Sequence, residues 1–423
     1  MTGSATQRLL LISGTLQTPV NHQNPPTFLP ESGTSGSSCK HTPHNTLMVP
    51  GSVEFDEAVL QSISHYAESH TSPDFIKVFR DTLILLRKLF QSTDPSAQQF
   101  VVSGSGTLGW DMISASLVEK GDNSLVLNTG YFGDSFGDCL EVYGAQVTHI
   151  RAQVGERPSL QDIEKALSQK FYKLITITHV DTSTGVLSDI KNVTKLVRRV
   201  SPATLIVVDG VCSVGSEEIA FDQWGLDAVV AAGQKAIGCP SGLSILMMSS
   251  RAIQQVQSRK TPPGSYYASI AKWYPVMQKY ENNEPAYFTT PPTQLIRALH
   301  ASLSQITARP IAERIAIHAQ ASDKIKAAVT RLGLKQVATR PECQAHGLTA
   351  MYLPPGLTPP DVLPSILRRG VVFAAGLHKE IANQYIRFGH MGVSIMDTDR
   401  GDIEKALAAL RDALTEARQI KGM

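Results

Sequence analysis

An α/β fold with an open, mostly parallel sheet of seven strands, followed by a smaller C-terminal α+β domain, is what this sequence predicts. Three observations predict it. Between residues 98 and 210 short, nearly continuous apolar runs alternate with amphipathic stretches, the pattern of strand–helix–strand units whose sheet is covered on both faces. A chain of 423 residues with 42% apolar and 18% charged residues can bury more than one core. Beyond about residue 300 long helical patterns are interleaved with a few short strands. The expected division is a tail over 1–45, a large domain over 46–300 and a small domain over 301–423.

Residues 1–45 carry only Arg8, Glu31 and Lys40 as charges and have no hydrophobic period beyond the first turns, so they read as a flexible tail or a targeting segment. Arg8 ahead of an apolar run resembles an organelle presequence, but one arginine makes no basic amphipathic helix. Lys421-Gly422-Met423 is not an S-K-L ending, so an intracellular soluble protein is expected with its compartment open. The strands follow as 99–102, 124–128, 146–150, 173–180, 204–209, 227–232 and 243–248, with helices at 107–119, 134–143, 159–170 and 190–199 between the earlier ones. Pro and Gly cluster at 261–264 and 290–292, then 294–308 and 311–332 read as helices. In the last part 348–353, 371–375 and 385–389 are strand-like, 359–369 is helical, and Ile403, Leu407, Leu410 and Leu414 lie along one face of a closing helix.

Lys and Arg number 39 against 37 Asp and Glu, leaving no excess positive charge for a nucleic-acid partner. No apolar run reaches the roughly 18–20 residues of a membrane span. Five scattered cysteines without a C-x-x-C pair suit a reducing compartment, and Cys39, His41 and His44 lack a fourth partner, so no metal is expected.

Ligands of such a sheet bind beyond the carboxyl ends of its strands, which directs attention to the loops there. Gly104, Gly106 and Gly109 follow the first strand and open a helix with G-x-G-x-x-G spacing. A dinucleotide site would want an acid closing the next strand, yet that strand ends at Asn128. The more general property remains: small residues let backbone N–H groups approach a phosphate at a helix N-terminus. A tight turn without ligand is the plain alternative. Asp209 closes a very apolar strand, where a carboxylate needs a cationic partner, and Lys235 follows another strand in small, mostly neutral surroundings. A capping acid and a snorkelling lysine are the ordinary readings of each alone. Together with a phosphate turn they specify pyridoxal phosphate, which needs an amine, an acid at its ring nitrogen and an anion site.

The ordered set GSGT (104–107), TGYFGD (129–134), HVDTSTG (179–185), VVDGVCSVG (207–215), GQKAIGCPSG (233–242), YFTTP (287–291) and RFGHMG (387–392) resembles the fold-type I, class V aminotransferases, most closely their alanine–glyoxylate and serine–pyruvate branch. The resemblance implies a homodimer that takes small amino acids and 2-oxo acids in a ping-pong cycle through pyridoxamine phosphate. It implies L-alanine plus glyoxylate giving pyruvate plus glycine, hence a place in glyoxylate metabolism and glycine formation, with serine–pyruvate or serine–glyoxylate exchange as the alternative. It assigns Lys235 as the catalytic lysine, Asp209 to the ring nitrogen, Thr182 to the phenolate side, and Ser105, Gly106, Thr107 and Gln234 to the phosphate, with Tyr287 and Thr290 reaching the same site from a neighbouring subunit. Arg387 would clamp the substrate carboxylate, and Gly51 in Val49-Pro50-Gly51-Ser52 would bring backbone near the substrate. Phe132 stands where this branch often has a ring-stacking Trp. A cysteine desulfurase would place His there and a catalytic cysteine on a mobile loop, for which Cys343 is the only remote candidate. From another class, a dehydrogenase built on Gly104, Gly106 and Gly109 is the rival, and behind it a non-catalytic protein of the same fold.

Overall fold

The computed structural model describes residues 43–423, with His44–Met423 forming one compact unit. Of the expected tail, residues 1–42 lie outside the described part, as do Cys39 and His41. His44 lies inside it and pairs with Glu54 at 3.0 Å.

Strand β1 is Thr46–Leu47. Six strands then follow the apolar runs closely: β2 (Gln98–Ser103), β3 (Asn123–Asn128), β4 (Gln146–Arg151), β5 (Leu174–Thr178), then, after the short hairpin β6 (Val180–Asp181) and β7 (Val186–Leu187), β8 (Leu205–Asp209) and β9 (Ala228–Ala232). With β10 (Leu243–Met248) they form one seven-stranded sheet in the order β2-β10-β9-β8-β5-β3-β4. All neighbours are parallel except at β10, which runs antiparallel to both β2 and β9. The reversal has a simple cause. Between β9 and β10 no crossover helix intervenes, only the loop 233–242, and without a crossover the chain can only turn back beside itself. That loop carries Lys235.

The run expected to be one strand over 173–180 breaks at His179. Its N–H still donates to the Asp209 carbonyl at 2.9 Å, but its own carbonyl accepts from Ser188, which redirects the chain into the β6–β7 hairpin. Helices Gly106–Leu117, Tyr131–Val142, Leu160–Gln169 and Ile190–Val200 link the parallel strands. In β8, β9 and β10 every residue is buried, as expected for a sheet covered on both faces. Gly109 lets the first helix lie close on this sheet, since a Cβ there would sit 2.3 Å from Val230 Cγ1.

The second sheet is antiparallel, in the order β11 (Lys335–Gln336), β12 (Leu348–Tyr352), β15 (Tyr385–Gly389), β14 (Ala374–Ala375). The run 371–375 divides at Phe373, which is buried and stacked on Phe388 with ring centroids 4.5 Å apart. Before it, β13 (Val371–Val372) pairs in parallel with β1, so the first described strand joins the far end of the chain. Leu410 and Leu414 of helix Asp402–Lys421 are buried with Ile325 and Val329 of helix Ile311–Arg331, while Ile403 and Leu407 pack at the edge of that core.

Below the large sheet Asp227, 2% exposed, ties four elements together. Its Oδ2 accepts from Ile206 N (2.6 Å), Arg198 (2.7 Å) and Arg251 (2.5 Å), and its Oδ1 accepts from Arg251 Nε at 2.8 Å. Removing the acid leaves two guanidinium groups without their anion, although both are about a third exposed and can rehydrate. Asp227→Ala is therefore expected to destabilise the protein by about 2–3 kcal/mol, below the usual loss for a fully buried pair. Urea unfolding of purified wild type and variant measures it; an unchanged midpoint contradicts the role.

Candidate active site

Because β2, β3, β5, β8 and β9 run in one direction, the segments that follow their carboxyl ends lie along one edge of the sheet. There the structure gathers Ser105 to Thr107, Phe132, Thr182, Asp209 and Lys235.

Lys235 stands on a tight turn closed by Gly238 N–H to the Lys235 carbonyl (2.8 Å) and Cys239 N–H to the Gly233 carbonyl (2.9 Å). Gly233 has no room for a side chain, since a Cβ would lie 2.2 Å from Cys239 Sγ. The Lys235 ammonium donates to the Pro50 carbonyl at 2.6 Å. Gly51 permits this approach: it has φ +102°, and a Cβ there would fall 2.3 Å from Lys235 Cδ. The Val49–Pro50 backbone is in turn held by β15, where Gly389 N–H donates to the Met48 carbonyl at 2.8 Å and a Cβ on Gly389 would be 2.1 Å from the Val49 carbonyl oxygen. Strand β15 therefore delivers the backbone that meets the lysine.

Asp209, one strand away from the lysine's strand, is buried at the last position of β8. Burial is the largest influence on its carboxyl and pushes it up to about 7; the Val211 N–H, at 3.0 Å from Oδ1, pulls the other way, nearby Asp181 adds to the rise, and Lys235 opposes it. The indole N–H of Trp110 also favours the charged form, though outside ordinary hydrogen-bond geometry. No cation lies within ion-pair distance of Asp209 among the described residues. A buried acid in this state fits a protonated ring nitrogen.

Ser105 is the N-cap residue of helix Gly106–Leu117 and makes no side-chain cap bond; the Leu108 N–H donates to the Ser105 carbonyl at 3.0 Å, while the N–H groups of Gly106 and Thr107 are left to meet an anion. A Cβ on Gly106 would be 2.7 Å from Val211 Cγ2, which fixes a bare backbone at this point. The Gln234 amide oxygen is buried without a partner, and a rotation of the amide places N–H donors there instead. An unpaired polar group beside an open helix N-terminus fits a phosphate. Phe132, half-buried, begins helix Tyr131–Val142 and meets Trp110 edge-on, with centroids 6.3 Å apart at 69°.

Thr182 is buried, and its carbonyl accepts from Arg387 Nη1 at 3.3 Å. Arg387 Nε donates to the Ala375 carbonyl at 2.8 Å, and no carboxylate lies within ion-pair distance of the guanidinium among the described residues. Burial lowers its pKa from the usual arginine value. An external carboxylate is the partner such a group lacks. Tyr287, 71% exposed, and Thr290, also exposed, make no described hydrogen bond to Lys235, Asp209 or Ser105. Within a single chain they stand on the surface.

Three contributors are given no role by the sequence motifs. Trp110 meets Phe132 edge-on, and its indole N–H acts on Asp209. Asp181, buried, accepts from the Ser183 N–H (2.9 Å) and hydroxyl (2.6 Å) and so shapes the loop of Thr182. Arg314, whose burial pushes its pKa down to about 10, donates to the carbonyls of Gly215 (2.9 Å) and Ala236 (2.8 Å), stitching the loop after Asp209 to the turn of Lys235. Only Asp181 lay inside a motif. Two rival readings lose support: Asn128, closing β3, is committed to Asp134 at 2.7 Å and Gly130 at 3.1 Å, leaving no ribose acid there, and Cys343 is buried with a raised pKa.

Residues 53–395 match the family model described as aminotransferase class-V. The chain is 43% identical over 359 residues to alanine–glyoxylate aminotransferase 1 of Saccharomyces cerevisiae, covering 83% of this chain and 92% of that one. It is 29% identical to L-aspartate–glyoxylate aminotransferase of Paracoccus denitrificans, over 83% and 87% of the two chains. Among solved structures, alanine–glyoxylate aminotransferase from Nostoc sp. superposes with TM-score 0.81 at 29% identity, covering 91% of this chain and 99% of that one.

The state of Asp209 makes a pH prediction for protein freed of its cofactor. The folded carboxyl keeps its proton up to about 7, whereas an unfolded aspartate loses it near pH 3.9, so folding binds a proton between these values. Stability contributed by this site is present below the lower value and declines as pH rises toward the upper one. Asp209→Asn cannot ionise and escapes the decline. The variant's melting temperature, relative to wild type, is expected to rise between pH 5 and pH 8. A constant difference across that window argues against the buried, cation-free carboxyl.

Proposed function

Because the chain belongs to the class V aminotransferases, enzymes of pyridoxal phosphate, we propose that it moves the amino group of L-alanine to glyoxylate, forming pyruvate and glycine, as a homodimer. The observation that carries this reading is the pairing of Lys235 and a cation-free, buried Asp209 at the ends of adjacent parallel strands, with an unpaired Arg387 guanidinium hydrogen-bonded to the Thr182 carbonyl.

When bound, pyridoxal phosphate supplies an electrophilic carbon for the amine and a ring that stores the electrons released when the substrate's Cα–H bond breaks. Asp209 would keep the proton on the ring nitrogen. Thr182 would serve the phenolate side and Phe132 would pack against the ring. Ser105, Gly106, Thr107 and Gln234 would hold the phosphate, where the helix dipole favours negative charge. Lys235 takes the proton from Cα of the amino donor and, in the second half of the exchange, gives one to Cα of the acceptor, and the Pro50 carbonyl gives its amine a partner while it is free. Gly51 leaves that lysine its space. Arg387 binds the α-carboxylate, fixing the substrate so that its Cα–H faces the lysine. Tyr287 and Thr290 complete the phosphate site of the other subunit, which is consistent with their exposure in the single chain. On this reading residues 46–300 carry the cofactor and 301–423 supply the carboxylate arginine.

The substrate pair rests on the likeness to the yeast enzyme and on Arg387 being the one arginine that a motif assigns to the substrate, since a second substrate carboxylate would want another. Steady-state comparison of alanine, serine and aspartate with glyoxylate is the test, with alanine expected to give the highest kcat/KM and a preference for aspartate overturning the assignment. Two variants separate the roles. Arg387→Lys keeps charge but loses the fork, and is expected to raise KM for alanine by the equivalent of about 1.5–3 kcal/mol with the cofactor retained. Asp209→Asn is expected to lower kcat at saturating alanine, because the ring loses the charge that holds its proton. Near-normal turnover in the latter would remove Asp209 from the mechanism.

A further inference from the structure

Strand β15 presents two polar side chains on one face, because residues two apart in a strand point the same way. One is Arg387, which joins the carbonyls of Thr182 and Ala375 at 3.3 and 2.8 Å. The other is Tyr385, wholly buried, whose hydroxyl donates to the Ser183 carbonyl and accepts the N–H groups of Leu377 (2.8 Å) and His378 (2.9 Å). A phenol has one proton to give and two lone pairs to fill, so this hydroxyl is saturated. Both side chains bridge the same two segments: the 182–183 loop beside the cofactor site and the 375–378 stretch leading out of β14. Gly376 lies within that stretch and is confined by the same ring, since a Cβ there would be 2.6 Å from Tyr385 Cε1 and 2.3 Å from the Ala382 carbonyl oxygen.

We propose that Tyr385 is a positioning residue for substrate recognition: its hydroxyl fixes the spacing between the Thr182–Ser183 loop and the 375–378 segment, and thereby aims Arg387 at the substrate carboxylate. The inference rests on Arg387 being that clamp. Without the hydroxyl, Ser183 loses its donor and Leu377 and His378 lose their shared acceptor, so the two segments are free to shift about the guanidinium that spans them. A tyrosine that served packing alone would keep its effect on stability and lose any link to carboxylate binding. Tyr385→Phe retains the ring and removes only the bridge.

The test uses holoenzyme and propionate, a carboxylate with no amine to react, titrated through the visible band of the bound cofactor. Tyr385→Phe is expected to weaken propionate binding and raise KM for alanine by about five- to tenfold, with kcat changed far less and the band retained. In an Arg387→Lys background the same substitution is expected to change propionate binding by less than about twofold, because the clamp it aims is already impaired. An unchanged propionate affinity, or an equal loss in both backgrounds, overturns the proposal. Hydrogen exchange of the unmodified holoenzyme gives a second measurement that needs no variant to fold: saturating propionate is expected to slow exchange at Leu377 and His378, and unaltered exchange there also overturns it. Propionate binding does not depend on which amino acid is the true donor, so failure of the alanine–glyoxylate assignment appears separately, as a different order of kcat/KM in wild type. If Arg387→Lys binds propionate as wild type does, the clamp itself fails and Tyr385 falls with it.

Discussion

A buried acid with no cation at ion-pair distance among the described residues is the constraint around which the large sheet is arranged. Asp209 ends a strand with every residue buried, and the low dielectric there disfavours its charge enough to bring its pKa to about 7. Such a site is costly in the bare protein and becomes favourable only when a protonated base is laid against it. The surrounding sheet makes the cost bearable through bulk: β5, β8, β9 and β10 are buried throughout and, Asp209 itself apart, carry no charged residue. The structure can thus tolerate an unfavourable group at the one point where cofactor binding reverses the sign of its contribution.

Glycines decide how near the other groups come. Gly51, Gly106, Gly233 and Gly389 each stand where a Cβ would meet another atom at under 3.0 Å, and three of these four contacts concern the lysine turn or the segment facing it. Strand β15 links the two halves of the substrate's environment. It holds the Val49–Pro50 backbone through Gly389 and carries Arg387 two residues earlier, so the lysine's carbonyl partner and the carboxylate clamp share one rigid support. Precision of this kind comes more readily from a strand in a sheet than from a free loop.

Most strands of the large sheet were legible because they are compact apolar runs bounded by turn residues; β4, at the edge of the sheet, is more polar and only partly buried. Lys235, Asp209 and the small residues at 104–107 were legible for a related reason: polar or glycine residues at the end of such a run stand out against it. The reversal of β10 was not, since an apolar run carries no direction; the missing crossover helix between 232 and 243 was the available signal. Helix Pro73–Leu89 was legible in principle, with Ser72 as N-cap, proline in its first turn, and Phe75, Phe79, Leu83 and Leu86 buried along one face. Trp110, Arg314 and Tyr385 act through contacts with residues far away in sequence. Arg314 donates to backbone carbonyls, which have no residue identity, and Tyr385 alternates with Arg387 as any half-buried strand residue would. Nothing local distinguishes them from packing residues.

The pairing of β1 with β13 bears on how the protein is made. Thr46 lies opposite Val371, and Gly389 N–H donates to the Met48 carbonyl, so the segment that meets the lysine is made more than 300 residues before the partners that hold it. Throughout synthesis of the large sheet this stretch has unpaired backbone N–H and C=O groups, and Pro50 has nothing to hold it at the lysine. Long-range pairing of this type is slow because a large loop must close before any contact rewards it. The strands that precede Lys235 and end in Asp209 are therefore synthesised before the wall that faces them exists. The order of assembly runs from cofactor floor to substrate wall, and a chain ending before residue 371 would have the first without the second.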